Sequence, residues 1–433
     1  MIDGRCCRRL ARAAWFAAPK ISRVTETSRG TAIVGGRVVP VEGEPIEGGT
    51  VLLRDGKIAA VEGPGFAVPA GDVVVDATGK WVLPGFIDAH AHVGVAEEAE
   101  GWAGQDTNER TNPNSAHVRA LDAINPADQG FRDAIMGGVL AVNVNPGSAN
   151  PIGGQTVAIK CWGRTVDAMV LREPAGLKSA LGENPKRVYG ERNETPSTRL
   201  GTAAVIRGAF VAAQNYQAKM AAAASASEDS SSERAVVERD LKLEALSRVL
   251  RREIPWRQHC HRADDIATAM RMAREFGYDL VIDHGTEAYL LADQIAAASI
   301  PVIIGPLLTN RSKVELRNRS LANPGRLAAA GVTISITTDH PVVPINFLIF
   351  QATLAVKEGL DPLTALRAVT INPARIIGAD SRIGSLAAGK DADVVIWSGD
   401  PLDVMSRAER AFVDGREIYR YDYERREGVF TDL

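Results

Sequence analysis

The hydrophobic pattern changes character along the chain. From Thr31, short β-rich runs (Ala32–Val34, Val38–Val41 and Thr50–Arg54) alternate with glycine-containing turns, among them the Asp55-Gly56 pair. The closing stretches "GSLAAGKDADVVIWSGDP" and "ERAFVDGREIYRY" repeat that texture, and Asp414-Gly415 marks another hairpin. Two β-rich ends flanking a long middle predict a small β-sandwich assembled from both terminal segments.

The middle has a different rhythm. Strand-like apolar runs stand at Val139–Val144, Thr156–Lys160, Leu280–Asp283, Pro301–Gly305 and Thr333–Thr337. Helical spacing fills several intervals, at Ala263–Phe276, Ala288–Ala298 and Asn323–Ala330. Strand followed by helix, repeated, means βα units and a mostly parallel sheet. A (β/α)8 TIM-type barrel is the economical solution at this length. The expected organisation is a leader without fixed structure (1–29), the first sandwich part (30–84), the barrel (85–378), and the second sandwich part with the C-terminal tail (379–433). The Ala/Ser-rich stretch "AKMAAAASASEDSSS" predicts a surface loop to about Ser232, followed by a helical pattern from Glu233.

Composition narrows the class little. Hydrophobic content of 45% and charged content of 24% are ordinary for a globular chain of 433 residues. A net charge of -3 offers no signal for nucleic acid or an acidic membrane surface. No apolar run is long enough to span a bilayer. The four cysteines, two of them adjacent (Cys6, Cys7), do not form a disulfide framework and fit a reducing compartment. The basic opening has its apolar patch broken by Arg9 and Arg12, which argues against an export signal; cytoplasmic residence is the expectation.

The histidines change the picture. "GFIDAHAHVG" places His90 and His92 at the end of an apolar run. In a strand, residues i and i+2 face one side, so both imidazoles can enter one cavity and bind a divalent ion. HxH spacing alone also fits two unrelated turn histidines. However, His259 and His261 repeat the spacing, His284 follows "YDLVID", and His340 stands beside Asp339 after "VTISITT". Six of the seven histidines therefore fall where candidate strands end. That is where barrel enzymes carry their chemistry.

"LPGFIDAHAHVG", "ALRAVTINPARIIG" and "IGSLAAGKDADVVIWSGDPL", with His259, His284 and Asp339 in order, resemble the amidohydrolase superfamily from about Thr31 to Tyr419. The middle looks most like its imidazolonepropionase-type and dipeptidase-type branch. The resemblance implies a metal-dependent hydrolase acting on a small molecule, in which a metal-activated water cleaves an amide, cyclic amide or dipeptide-like C–N bond. A deaminase on the same fold and a catalytically silent, oligomeric scaffold are the alternatives. It implies one or two divalent cations, zinc first, with manganese, iron or cobalt also compatible. His90, His92, His259, His284 and Asp339 would be ligands, and Asp339 would also shuttle a proton. His259 and His261 compete for the fifth-strand position. Glu183 is favoured as the group contributed by the third or fourth strand, ahead of Lys178 and Lys160. His261 and His340 are candidate substrate contacts, and Asp88 is a candidate partner for a ligand imidazole. Lys186, Arg187, Arg192 and Arg199 are candidates to hold a substrate carboxylate. A homo-oligomer is compatible with the resemblance.

Overall fold

The computed structural model describes residues 29–228 and 237–432. The expected leader thus lies almost wholly outside the described residues, as does the end of the Ala/Ser-rich stretch. Both chain ends feed one nine-stranded sheet. Its N-terminal strands are β1 (Thr31–Val38), β2 (Ile46–Arg54), β3 (Lys57–Glu62), β4 (Val73–Asp76) and β5 (Trp81–Pro84). The central strands are β6 (Phe86–Ala91), β7 (Val139–Val144), β8 (Ile152–Lys160), β9 (Val170–Ala180), β10 (Trp256–Cys260), β11 (Leu280–His284), β12 (Val302–Ile304) and β13 (Ile334–Ile336). The C-terminal strands are β14 (Val394–Trp397), β15 (Ala408–Val413), β16 (Arg416–Asp422) and β17 (Glu427–Phe430).

In the terminal sheet, β14 pairs antiparallel with β5, joining the two halves. Hydrogen bonding makes the strands of both terminal segments one continuous sheet. The Asp55-Gly56 and Asp414-Gly415 turns close the β2–β3 and β15–β16 hairpins with positive φ at all four residues, the mirror-image turns that suit strand twist. Ile33, Val51, Leu53, Val394, Ile396 and Phe412 belong to its own apolar core. The sheet meets the barrel where Trp397 packs on Phe86, ring centroids 5.1 Å apart. Gly138 (φ +75°) lies beneath the same indole; a Cβ there would stand 2.4 Å from Trp397 Cζ2, so only glycine fits.

The central strands form an eight-stranded sheet in chain order. One strand departs from the (β/α)8 expectation. β8 runs antiparallel to both β7 and β9, so seven strands are parallel and the third is reversed. The reason is local: β7 and β8 are joined by residues 145–151, too short for a helical crossover. The first and last strands meet through side chains. Thr337 Oγ1 lies 2.5 Å from His90 O and 2.6 Å from Asp88 Oδ1, its single proton shared between them, while Asp88 Oδ2 accepts from Thr338 N at 2.9 Å. His92 N donates to His340 O at 2.9 Å just above. Asp88 therefore ties β6 to the segment after β13, and does not orient a ligand imidazole as expected.

Helix Ala263–Phe276 appears with the bounds its spacing predicted. The Ala/Ser-rich stretch is helical instead of looped as far as Glu228, because alanine favours helix wherever neither Gly nor Pro intervenes. The later helical pattern begins at Leu241, with Asp240 as its N-cap. Among the described residues, no helix is long and apolar enough to cross a membrane.

Candidate active site

The barrel interior is polar where the strands end. His90 lies on β6 and His92 one residue beyond it; Lys178 lies on β9, His259 on β10 and His284 at the end of β11. Asp339 follows β13. Strand register brings His259 level with Asp283, and Cys260 level with His284. His90, His259, His261 and His284 are all buried. Their rings form one cluster, with centroids 4.8 Å apart for His90 and His284 and 4.4 Å for His259 and His284.

Two donor groups emerge. His90, His92 and Asp339 offer ligand atoms within 4.8 Å of one another, and so do His259, His261 and Glu315. Asp339 Oδ1 stands 3.3 Å from His92 Nε2 and 3.5 Å from His90 Nε2. His92 Nδ1 donates to Asn145 O at 2.7 Å, and His284 Nδ1 donates to Gly305 O at 2.8 Å. A carbonyl only accepts, so each ring carries a proton at Nδ1, which leaves Nε2 as its ligand atom. In the second group, His259 Nδ1 and Glu315 Oε2 are buried without a hydrogen-bond partner among the described residues. Buried polar atoms are normally paired, so two orphans within one donor group suit a cation. Both donor groups thus fit a divalent ion.

Burial, reinforced by neighbouring positive groups, lowers the imidazoles. His284 is pushed down to about 3, and His259 and His261 fall well below the ordinary histidine range. They are neutral near pH 7, the state a metal requires. Burial alone would raise Asp339, but His284, His90 and His92 overcome it and hold the carboxyl well below its usual range. His284 (φ +73°) and Asp339 (φ +53°) both adopt left-handed backbone, which is strained for non-glycine residues and characteristic of functional positions.

Beneath the imidazoles lies a charged layer. Asp283 accepts from Arg257 Nη2 at 3.1 Å and from Lys178 Nζ at 3.3 Å, and its Oδ2 is 3.0 Å from His90 Nδ1. Lys178 Nζ is also 3.1 Å from His90 Nε2. Burial lowers the Lys178 amine despite the adjacent carboxylates.

Several expectations move. Glu183 begins helix Glu183–Gly190 and lines a neighbouring hollow outside the histidine cavity; only its backbone N–H reaches Glu315, at 2.6 Å. Lys160 is far from the histidines, held by Asp391, Asp393 and Asp414 at 2.6–3.0 Å where barrel and terminal sheet meet. His340 does not line the cavity; its Nδ1 accepts from Ile345 N at 3.3 Å. His261 does line it. Lys186, Arg187 and Arg199 line the hollow beside Glu183, and Arg199 is bound to Asp265 and Glu315. Glu315 and Lys313 were missed. Both come from the polar stretch "NRSKVELRNRS", which reads as an ordinary solvated loop. The cavity above the histidines has a volume of about 310 Å³, with walls from Gly147 and Ser148, Asn184, and the loop carrying Lys313.

Comparison with known proteins agrees with this architecture. Residues 81–418 match the amidohydrolase family. The crystal structure of an amidohydrolase from Thermotoga maritima MSB8 superposes with a TM-score of 0.86 at 46% identity, covering 90% of this chain and all of that one. The amidohydrolase tasK of Hapsidospora irregularis is 30% identical over 85% of this chain, which spans only 39% of that protein. An imidazolonepropionase from Symbiobacterium thermophilum is 28% identical over 82% of this chain and 84% of its own length.

Proposed function

Since the chain belongs to the amidohydrolase family, we propose that it is a metal-dependent hydrolase cleaving a C–N bond in an amide, cyclic amide or dipeptide-like small molecule. The observation that carries this reading is the convergence of His90, His92 and Asp339 at the mouth of the barrel, within 4.8 Å of one another, below a cavity of about 310 Å³.

His90, His92 and Asp339 would hold one divalent ion, zinc first. His259, His261 and Glu315 offer a second set, with His284 between the two. A bound cation supplies the acidification of water, from a pKa of about 15.7 to roughly 7, that a carboxylate as weakly basic as Asp339 cannot provide. Asp339 Oδ1 receives the water proton and returns it to the departing nitrogen. The Nε2 atoms of His92 and His284 face the reacting centre because backbone carbonyls fix their rings. The fourth-strand role falls to Lys178 in this proposal, since its amine is inside the cluster and Glu183 is outside. Desolvation favours the neutral amine, which can add CO2 with loss of a proton and so become an anionic carbamate.

Elemental analysis of purified protein tests the proposal, followed by assay of the metal-loaded enzyme on pooled N-acyl amino acids, dipeptides and cyclic amides or ureas. About one or two metal ions per chain and metal-dependent release of amine are expected. A chain that takes up no metal and turns over nothing would overturn it, and would favour the silent-scaffold alternative.

A further inference from the structure

Among the described residues, two formally charged side chains line the histidine cavity, Asp339 and Lys313. Asp339 is committed to His90 and His92. Lys313 is not committed to an acid. Its Nζ donates to Asn184 Oδ1 at 3.0 Å, and among the described residues no carboxylate pairs with it. Asn184 in turn gives its Nδ2 to Ser148 Oγ at 2.8 Å and lies 3.4 Å from His259 Nε2. One amide side chain therefore separates the ammonium from the donor cluster and holds it there. The rest of the wall is neutral, with Gln105, Thr107, Asn108 and Ser312 among its members.

A half-buried ammonium facing a cavity without a counter-ion is costly unless the cavity's occupant brings the charge. We propose that Lys313 reads a carboxylate on the substrate, so that this enzyme acts on anionic C–N compounds of the N-acyl amino acid or dipeptide class. Lys313 is a specificity residue here, and this role rests on the hydrolase reading above.

The test is equilibrium binding to the zinc-loaded protein by calorimetry. The ligands are a panel of N-acetyl amino acids, each paired with its own carboxamide. Wild type is expected to favour at least one acid over its amide by about tenfold or more, as for a charge-assisted contact. In Lys313→Gln that ratio should fall towards one, and Lys313→Arg should restore part of it. No acid preference across the panel, or a preference that survives Lys313→Gln, would overturn the proposal. Hydrolysis assays on the same panel separate the two ideas. Acid-selective binding lost in Lys313→Gln, with nothing hydrolysed, would sink the hydrolase reading alone. Hydrolysis without acid preference would sink the role of Lys313 alone.

Discussion

The Nζ of Lys178 lies 3.1 Å from the Nε2 of His90, although 88 residues separate them in the chain. An amine so deep in a barrel, touching an imidazole and Asp283, has no surface role. Lys178→Met is expected to lower kcat by about 100-fold, near the upper range for groups that support a metal site. Circular dichroism should be unchanged and bound metal reduced. Wild-type turnover in this variant would remove Lys178 from the reaction centre.

Asp339 is the acid that both His90 and His92 face. Asp339→Asn keeps its shape and removes its proton acceptor, so kcat should fall by roughly 10²–10⁴-fold with little change in Tm. His90→Ala should lose turnover together with metal. Steady-state kinetics and metal content on the same samples decide the matter, and full activity in either variant would refute the assignment.

Acid should unfold the chelated protein early. His284 is held down at about 3, and His259 and His261 well below the ordinary value, so in this region the unfolded chain binds protons that the folded chain refuses. Stability is then intact above about pH 6.5 and declines below it, by up to about 1.4 kcal/mol per pH unit for each such histidine, until the folded pKa is reached. Urea unfolding midpoints at about pH 7 and about pH 5 measure this. A midpoint that did not fall between them would contradict the buried neutral state.

Lys160 predicts a different failure. Burial alone would lower its amine, but Asp393, Asp414 and Asp391 raise it. Lys160→Met leaves the buried Asp393 without its cation, while Asp391 keeps Lys57 and Arg382 and Asp414 is exposed; the loss should be about 3 kcal/mol, the lower end for a broken buried ion pair. Activity per folded molecule should persist. An unchanged urea midpoint would show that the cluster is solvated.

Asp88→Ala removes the acceptor shared by Thr337, Thr338 and the His90 backbone. The loss should be about 3 kcal/mol, because several buried donors are left unpaired. It should also weaken metal binding, since Asp88 holds β6 against the segment that carries Asp339. Thermal unfolding and metal titration check the two effects separately.

Much of this was legible in the sequence, for identifiable reasons. Helix Ala263–Phe276 and strand β7 follow their periodicity closely, because nothing tertiary contests it. His90, His92, His284 and Asp339 stood out as candidates because each lies at or just past the end of an apolar strand. Reversal of β8 could not be read, since its apolar content suits either direction and only the short link before it forces a hairpin. Glu183 misled because it stands at a strand end in sequence, yet the chain turns at Gly182 (φ +87°) and carries the side chain out of the barrel. Glu315 and Lys313 come from a polar loop whose fold depends on contacts that no local pattern encodes. Lys178 and Lys160 look alike in sequence; the neighbours that separate them, His90 and Asp391, are distant in the chain.

The pairing of β14 with β5 has a cost during synthesis. Trp81 must wait for Trp397, its partner in the ladder, to be translated. At ribosomal rates of roughly 5–20 residues per second, that edge of β5 is bare for roughly 15–60 seconds. An unpaired, apolar strand edge is a template for intermolecular association. Nascent chains of this protein are therefore open to edge-to-edge association at β5 until Trp397 has been translated.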